Sequence, residues 1–345
     1  MKTVDIEKLV RPNILALKPY SSARDEFQGS EGIFLDANEN PFGTLNRYPD
    51  PHQKALKTKL SEVKNVPAKQ IFIGNGSDEV IDLIYRIFCE PGKESAIICP
   101  PTYGMYEVSA NINNIGLQKI PLTTDFQLDI EKILQTAEAD TSVKLIFVCS
   151  PNNPTGNRLE NLEKLLDNFN GIVVADEAYI DFCPEHSLKS KINKYPNLIV
   201  MQTFSKAWAL AGVRVGMAFA DEKIISLLDK TKPPYNVSAI NQQAALETLS
   251  HPDEFEERRN TILQQKAHLA EELSKMEIVK RIYPSDANFL LVEVSDANRI
   301  YNELVQKKVI IRNRNSQVTN CVRITIGTPD ENKELLKELH CLNAK

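Results

Sequence analysis

Short apolar runs rich in β-branched residues recur along the chain, and the stretches between them carry apolar residues at a helical period. Ile71-Phe72-Ile73 ends at Gly74-Asn75-Gly76-Ser77, after which Val80, Leu83, Ile84, Ile87 and Phe88 fall on one helical face. Further strands are predicted at 96–99, 143–149, 171–175, 198–202 and 215–219, with a helix at 159–169. Strands apolar on both faces and separated by helices call for an α/β fold: a mostly parallel central sheet with helices on both faces.

After about residue 220 the texture changes. Helical stretches at 222–230 and 238–249 lead into a long charged one from Asp253 to Met276. The tail then alternates strands (288–294, 308–312, 321–326) with helices (296–306, 330–341), which reads as a smaller α+β domain. The expected division is an N-terminal arm at 1–30, a large domain at 31–245 and a small C-terminal domain at 246–345. Pro12, Pro19 and the Ser21-Ser22 pair make the first thirty residues an arm rather than a core element.

At 345 residues the chain is long enough for two domains of roughly 150 residues each. A formal net charge of -5 argues against general nucleic-acid binding, which wants a basic face. No apolar run reaches the ~18 residues of a membrane span. Met1 to Arg11 lacks the apolar block of a signal peptide, so cytoplasm is the expected location. The six cysteines form no C-x-x-C pair and the five histidines have no ligand spacing, so no metal is expected.

The chemistry concentrates where predicted strands end. Thr203-Phe204-Ser205-Lys206 follows the strand 198–202, with Arg214 eight residues beyond the lysine. Lys206 alone reads either as a solvated loop residue or as a nucleophile, its amine kept partly neutral by desolvation and neighbouring cations so that it can form a Schiff base. In the second case Thr203, Ser205 and Arg214 supply donors for a phosphate. Asp176 ends the strand 171–175; it either caps a turn or, buried, needs a cationic partner such as a protonated pyridine nitrogen. Tyr179 lies three residues on. Ser150-Pro151-Asn152-Asn153-Pro154-Thr155-Gly156 is a rigid turn that sets Asn153 at the carboxyl edge of the sheet, where open α/β sheets bind ligands. Gly76 and Ser77 open a helix whose first amides can face an anion, although Asp78 and Glu79 sit awkwardly beside one. Tyr103 either stacks on a flat ring or packs on the core.

Taken in chain order, these strings resemble the aspartate-aminotransferase-like (fold type I) pyridoxal-phosphate enzymes over almost the full length. The lysine, aspartate and asparagine segments mark the superfamily. Asn38-Glu39-Asn40-Pro41, Arg47-Tyr48-Pro49 and Arg323-Ile324-Thr325-Ile326-Gly327 resemble the branch that acts on histidinol phosphate. The resemblance implies that pyridoxal 5'-phosphate is bound by Lys206, with Asp176 on the pyridine nitrogen, Tyr179 and Asn153 on the ring oxygen and Tyr103 on the ring face. It gives the phosphate to Gly76, Ser77, Thr203, Ser205 and Arg214, with Tyr48 reaching in from the other subunit of a homodimer. Arg323, Arg312, Tyr20 and Asn38 would face the substrates, histidinol phosphate and glutamate or 2-oxoglutarate. Two features depart from the family pattern: Trp208 stands where phenylalanine is expected, and the 312–315 segment is unusually basic. An aromatic amino-acid aminotransferase or a threonine-phosphate decarboxylase would share most of these strings, and a non-catalytic relative is the remaining alternative.

Overall fold

The computed structural model describes residues 4–21 and 32–343. Residues 22–30 of the expected arm, with Ser22 and Gly29, lie outside the described residues. The first part of that stretch differs from the expectation of an arm clear of the core. Ile6, Val10 and Ile14 are buried in the core that also holds Val80, Ile84 and Ile87. Arg11 fixes them there, its amide donating to the Ile87 carbonyl at 3.0 Å and its Nε to Glu90 Oε2 at 3.1 Å. They lie on two short helical turns, Ile6–Leu9 and Pro12–Ala16, joined through extended backbone at Val10.

Seven strands form the central sheet: β1 (Ile71–Gly74), β2 (Ser95–Ile98), β3 (Gly116–Lys119), β4 (Val143–Cys149), β5 (Ile172–Asp176), β6 (Leu198–Thr203) and β7 (Gly216–Phe219). Their order is β1-β7-β6-β5-β4-β2-β3, and β7 alone runs antiparallel to its neighbours. Side chains alternate between two cores. Leu145, Phe147, Val174 and Met201 pack on one side with helix Gly76–Phe88, while Ile146, Val148, Val173 and Val200 pack on the other with helices Lys54–Lys64 and Leu162–Asn168. Covering both faces is what turns these strands into continuous apolar runs, and it leaves the strand ends as the place where polar groups can reach a ligand.

A second sheet of four antiparallel strands follows: β8 (Val279–Ile282), β9 (Phe289–Val294), β10 (Arg312–Asn313) and β11 (Cys321–Thr325), in the order β10-β11-β9-β8. Leu290, Val292, Val322 and Ile324 point to a core shared with helices Pro252–Ser274, Ala297–Gln306 and Pro329–Asn343. Because side chains alternate along a strand, Phe289 and Arg323 project from the opposite face, and Phe289 joins the core of the large sheet. The strand predicted at 308–312 shrinks to two residues at its end. Helix Ala239–Leu249 runs unbroken through 245 and 246, with Ala245 and Leu249 in the large core; Ile262 touches both cores. No helix among the described residues is long and apolar enough to cross a membrane.

Candidate active site

The parallel register of β4, β5 and β6 sets Cys149 beside Asp176 and Asp176 beside Met201, so the segments that follow these strands emerge side by side. In the turn after β4 the two asparagines do different work. Asn152 is fully buried and holds the turn, its amide donating to the Pro101 carbonyl at 2.9 Å and to Thr155 Oγ1 at 2.8 Å. Asn153 faces the cavity, and its Oδ1 accepts a short hydrogen bond from Arg323 Nη1 of the small sheet.

Asp176 is buried at the end of β5. Tyr106 Oη donates to its Oδ2 at 2.7 Å and the Ala178 amide to its Oδ1 at 3.1 Å. Burial raises its pKa to about 6, against the lowering effect of these two donors, so the ionised carboxylate is held at a cost. Tyr106 is itself fixed by stacking on Phe147, with ring centroids 5.0 Å apart. Lys206 follows β6 with its Nζ 5.5 Å from the centre of the Tyr179 ring. Its pKa is lowered, first by burial and then by the Arg323 charge, which favours the neutral amine that a nucleophile or base requires.

An anion cradle lies beside this pair. Gly76 begins a 13-residue helix with φ +75°, and a Cβ there would sit 2.7 Å from Arg214 Nη2, so the backbone and the guanidinium approach as only glycine permits. Thr203 and Ser205 hydroxyls lie 3.0 Å apart, and Arg214 Nη1 reaches Ser205 Oγ at 3.5 Å. Glu79 turns away, its Oε2 accepting from Asn236 Nδ2 at 2.8 Å. Asp78 does not: it accepts from Tyr103 Oη at 3.0 Å and from Arg214 Nη2 at 3.3 Å. The Tyr103 ring stands edge-on to Tyr106, with centroids 5.6 Å apart.

One cavity of about 600 Å³ joins these groups to the small sheet. Of the expected residues, Ser77, Tyr103, Asn153, Asp176, Tyr179, Thr203, Ser205, Lys206, Arg214, Arg312 and Arg323 all line it. Gly76 stands just behind, against Arg214. Tyr48, Asn38 and Tyr20 are not brought there by their own chain. Tyr48 stacks on Tyr235 at 4.4 Å, Asn38 lines the same outer groove, and Tyr20 is 74% exposed. Sequence reasoning missed Tyr106 as the partner of Asp176, and it missed Arg314, which lines the cavity beside Arg312. The one signal for Arg314 was the basic character of the 312–315 segment, which does not by itself say where the side chain points. Trp208 lies away from the cavity, stacked on Phe255 at 3.9 Å, and its Nε1 donates to Asp181 Oδ2 at 2.9 Å.

A flat cationic heterocycle with a phosphate arm fits these residues. Among the described residues no cation is bonded to the buried Asp176 carboxylate, and the cradle of helix amides, hydroxyls and Arg214 suits a phosphate group. A lysine, a buried aspartate and an anion cradle at the carboxyl edge of an open α/β sheet are the groups a pyridoxal-phosphate enzyme requires. The family model for aminotransferases of class I and II matches residues 26–339, and the chain belongs to that family. Within it, the chain falls among the histidinol-phosphate aminotransferases. It is 51% identical to that enzyme from Flavobacterium johnsoniae, over 99% of this chain and 100% of the other. The solved histidinol-phosphate aminotransferase from Clostridium acetobutylicum has the same fold, with a TM-score of 0.79 at 24% identity over 87% of this chain and 91% of the other. The Sinorhizobium meliloti enzyme, solved with pyridoxal-5'-phosphate, matches with a TM-score of 0.75 at 24% identity over 86% and 83%.

Proposed function

We propose that this chain transfers the amino group of histidinol phosphate to 2-oxoglutarate with pyridoxal 5'-phosphate, giving imidazole-acetol phosphate and glutamate in histidine biosynthesis. The observation that carries the reading is the convergence of Lys206, buried Asp176 and the Gly76–Arg214 cradle on one cavity, in a chain half identical to enzymes of that name.

Bound pyridoxal phosphate supplies an aldehyde that condenses with amines and a conjugated ring that accepts electron density from the substrate carbon. Lys206 Nζ would anchor the cofactor covalently; once released, it would take the proton from the amine-bearing carbon as general base and give it up again within the same half-reaction as general acid. Asp176 holds the proton on the ring nitrogen, an arrangement worth most in this low-dielectric position. Tyr179 and Asn153 orient the ring oxygen, and Tyr103 covers the ring. Ser77, Thr203, Ser205 and Arg214 hold the phosphate, with the Gly76 amide. Arg323 and Arg312 bind the anionic group of either substrate, because a guanidinium fork takes phosphate and carboxylate alike.

Tyr48 and Asn38, remote from their own cavity, serve the other subunit of a homodimer, and Tyr20 closes on the substrate. Exposure of Leu35 (88%) and Phe42 (83%) in the same segment supports a surface covered by a second copy. Sedimentation should return twice the 38.9 kDa chain mass; the single mass would contradict the dimer. We place the protein in the cytoplasm. The division between large and small domains, first expected at 245/246, we move into helix Pro252–Ser274 near Ile262, which touches both cores. Purified protein assayed with histidinol phosphate, phenylalanine and threonine phosphate tests the function: preference for either of the last two would reject it.

A further inference from the structure

The substrate end of the cavity is lined by three guanidiniums from two adjacent strand segments. Arg312 pairs across the β10–β11 ladder with Arg323, so the two share a face. Arg314, two residues beyond Arg312, continues that face, with its amide donating to the Cys321 carbonyl at 2.9 Å. The loop behind it is pinned: the Asn315 amide donates to Asn313 Oδ1 at 2.9 Å and the Asn320 amide to Asn315 Oδ1 at 2.7 Å. These bonds fix the Arg314 backbone at the edge of the small sheet.

Two of these side chains carry donors that go unused. Arg314 Nε and Arg323 Nε are both buried without a hydrogen-bond partner among the described residues. Burial, then Arg323 and Arg312, lower the Arg314 pKa to about 10, so it stays charged at neutral pH while like charges press on it. Arg323 already commits Nη1 to Asn153. A carboxylate brings one negative charge and two oxygens, which one Arg fork satisfies. A phosphate monoester brings about two charges at neutral pH and three terminal oxygens, enough to engage a second fork.

We propose that Arg314 is the residue that makes this end of the cavity favour a phosphate monoester over a carboxylate. The inference rests on the substrate reading above for its biological meaning, but its test does not need turnover. The full chain is saturated with pyridoxal phosphate, and binding of propyl phosphate and of butyrate is measured by calorimetry for wild type, Arg314→Gln and Arg314→Lys. Arg314→Gln should weaken propyl phosphate at least tenfold more than butyrate, with Arg314→Lys between it and wild type. Equal losses for both ligands, no loss for either, or no wild-type preference for propyl phosphate would each overturn the assignment. A protein that shows the selective loss yet refuses histidinol phosphate would sink the substrate reading and leave Arg314 standing.

Discussion

At the carboxyl edge of the large sheet, the polar groups of the cavity are mostly engaged with neighbours: Asp176 with Tyr106 and Ala178, Thr203 with Ser205, Arg214 with Asp78. On the small sheet the reverse holds, and Arg314 and Arg323 keep buried donors without partners. The difference follows the chemistry each half serves. A resident cofactor needs a site shaped in advance by strands packed on both faces, because preorganised groups cost no rearrangement during reaction. Substrates that alternate between a phosphate and two carboxylates need donors not already committed, on an element that joins the large core through Ala287 and Phe289.

The sharpest way to break this contrast is to remove the cofactor anchor. Lys206→Ala should abolish the absorbance of the lysine-bound cofactor together with transamination, the latter by about 10⁴-fold, as expected for losing anchor and base together. Retention of either signal would end the assignment. Next in size, Asp176→Asn should cost roughly 10²- to 10³-fold in rate. The same change should stabilise the cofactor-free fold. The native pKa of Asp176 is raised from 3.8 to about 6, so the unfolded chain releases this proton first as pH rises. Stability is thus lost between those two values and stays lost above them, by roughly 3 kcal/mol. Melting of the cofactor-free proteins should show the Asn variant more stable at pH 7, with the gap closing below about pH 6; an equal or lower melting temperature at pH 7 would contradict it.

Substrate-half changes should spare the cofactor. Arg323→Lys loses the fork and should weaken both half-reactions by about 10- to 100-fold while the absorbance is kept; a spectrum that changes with the kinetics would blur the boundary between the halves. The smallest effect belongs to Gly76→Ala, where a Cβ 2.7 Å from Arg214 Nη2 and a φ of +75° disfavour the substitution. Cofactor titration should show about tenfold weaker binding, from a strain of 1–2 kcal/mol, with unchanged substrate preference.

The two halves were also unequally legible. Asn153, Asp176 and Lys206 each lie at or just beyond the end of an apolar strand, so a parallel sheet alone brings them to one edge. Arg314 follows a strand of only two residues, in a segment whose shape is set by asparagine side chains rather than by apolar alternation. Tyr106 was hidden differently. It sits on helix Met105–Ile112 and reaches Asp176 through space, across 70 residues of sequence, which no local pattern encodes. Tyr48 and Asn38 were visible as motifs, but they line an outer groove and not the cavity that holds Lys206. The docking of Ile6, Val10 and Ile14 was masked by Pro12, which opens a second short turn rather than continuing one helical stripe.

One titration tests transamination by the loaded protein most directly. The protein loaded with pyridoxal phosphate is mixed with one equivalent of histidinol phosphate per active site and then with 2-oxoglutarate, while absorbance and products are followed. Loss of the yellow colour in the first step, its return in the second, and one glutamate per active site are the predicted result. An unchanged spectrum with histidinol phosphate, alongside bleaching by phenylalanine or carbon dioxide release from threonine phosphate, would contradict it.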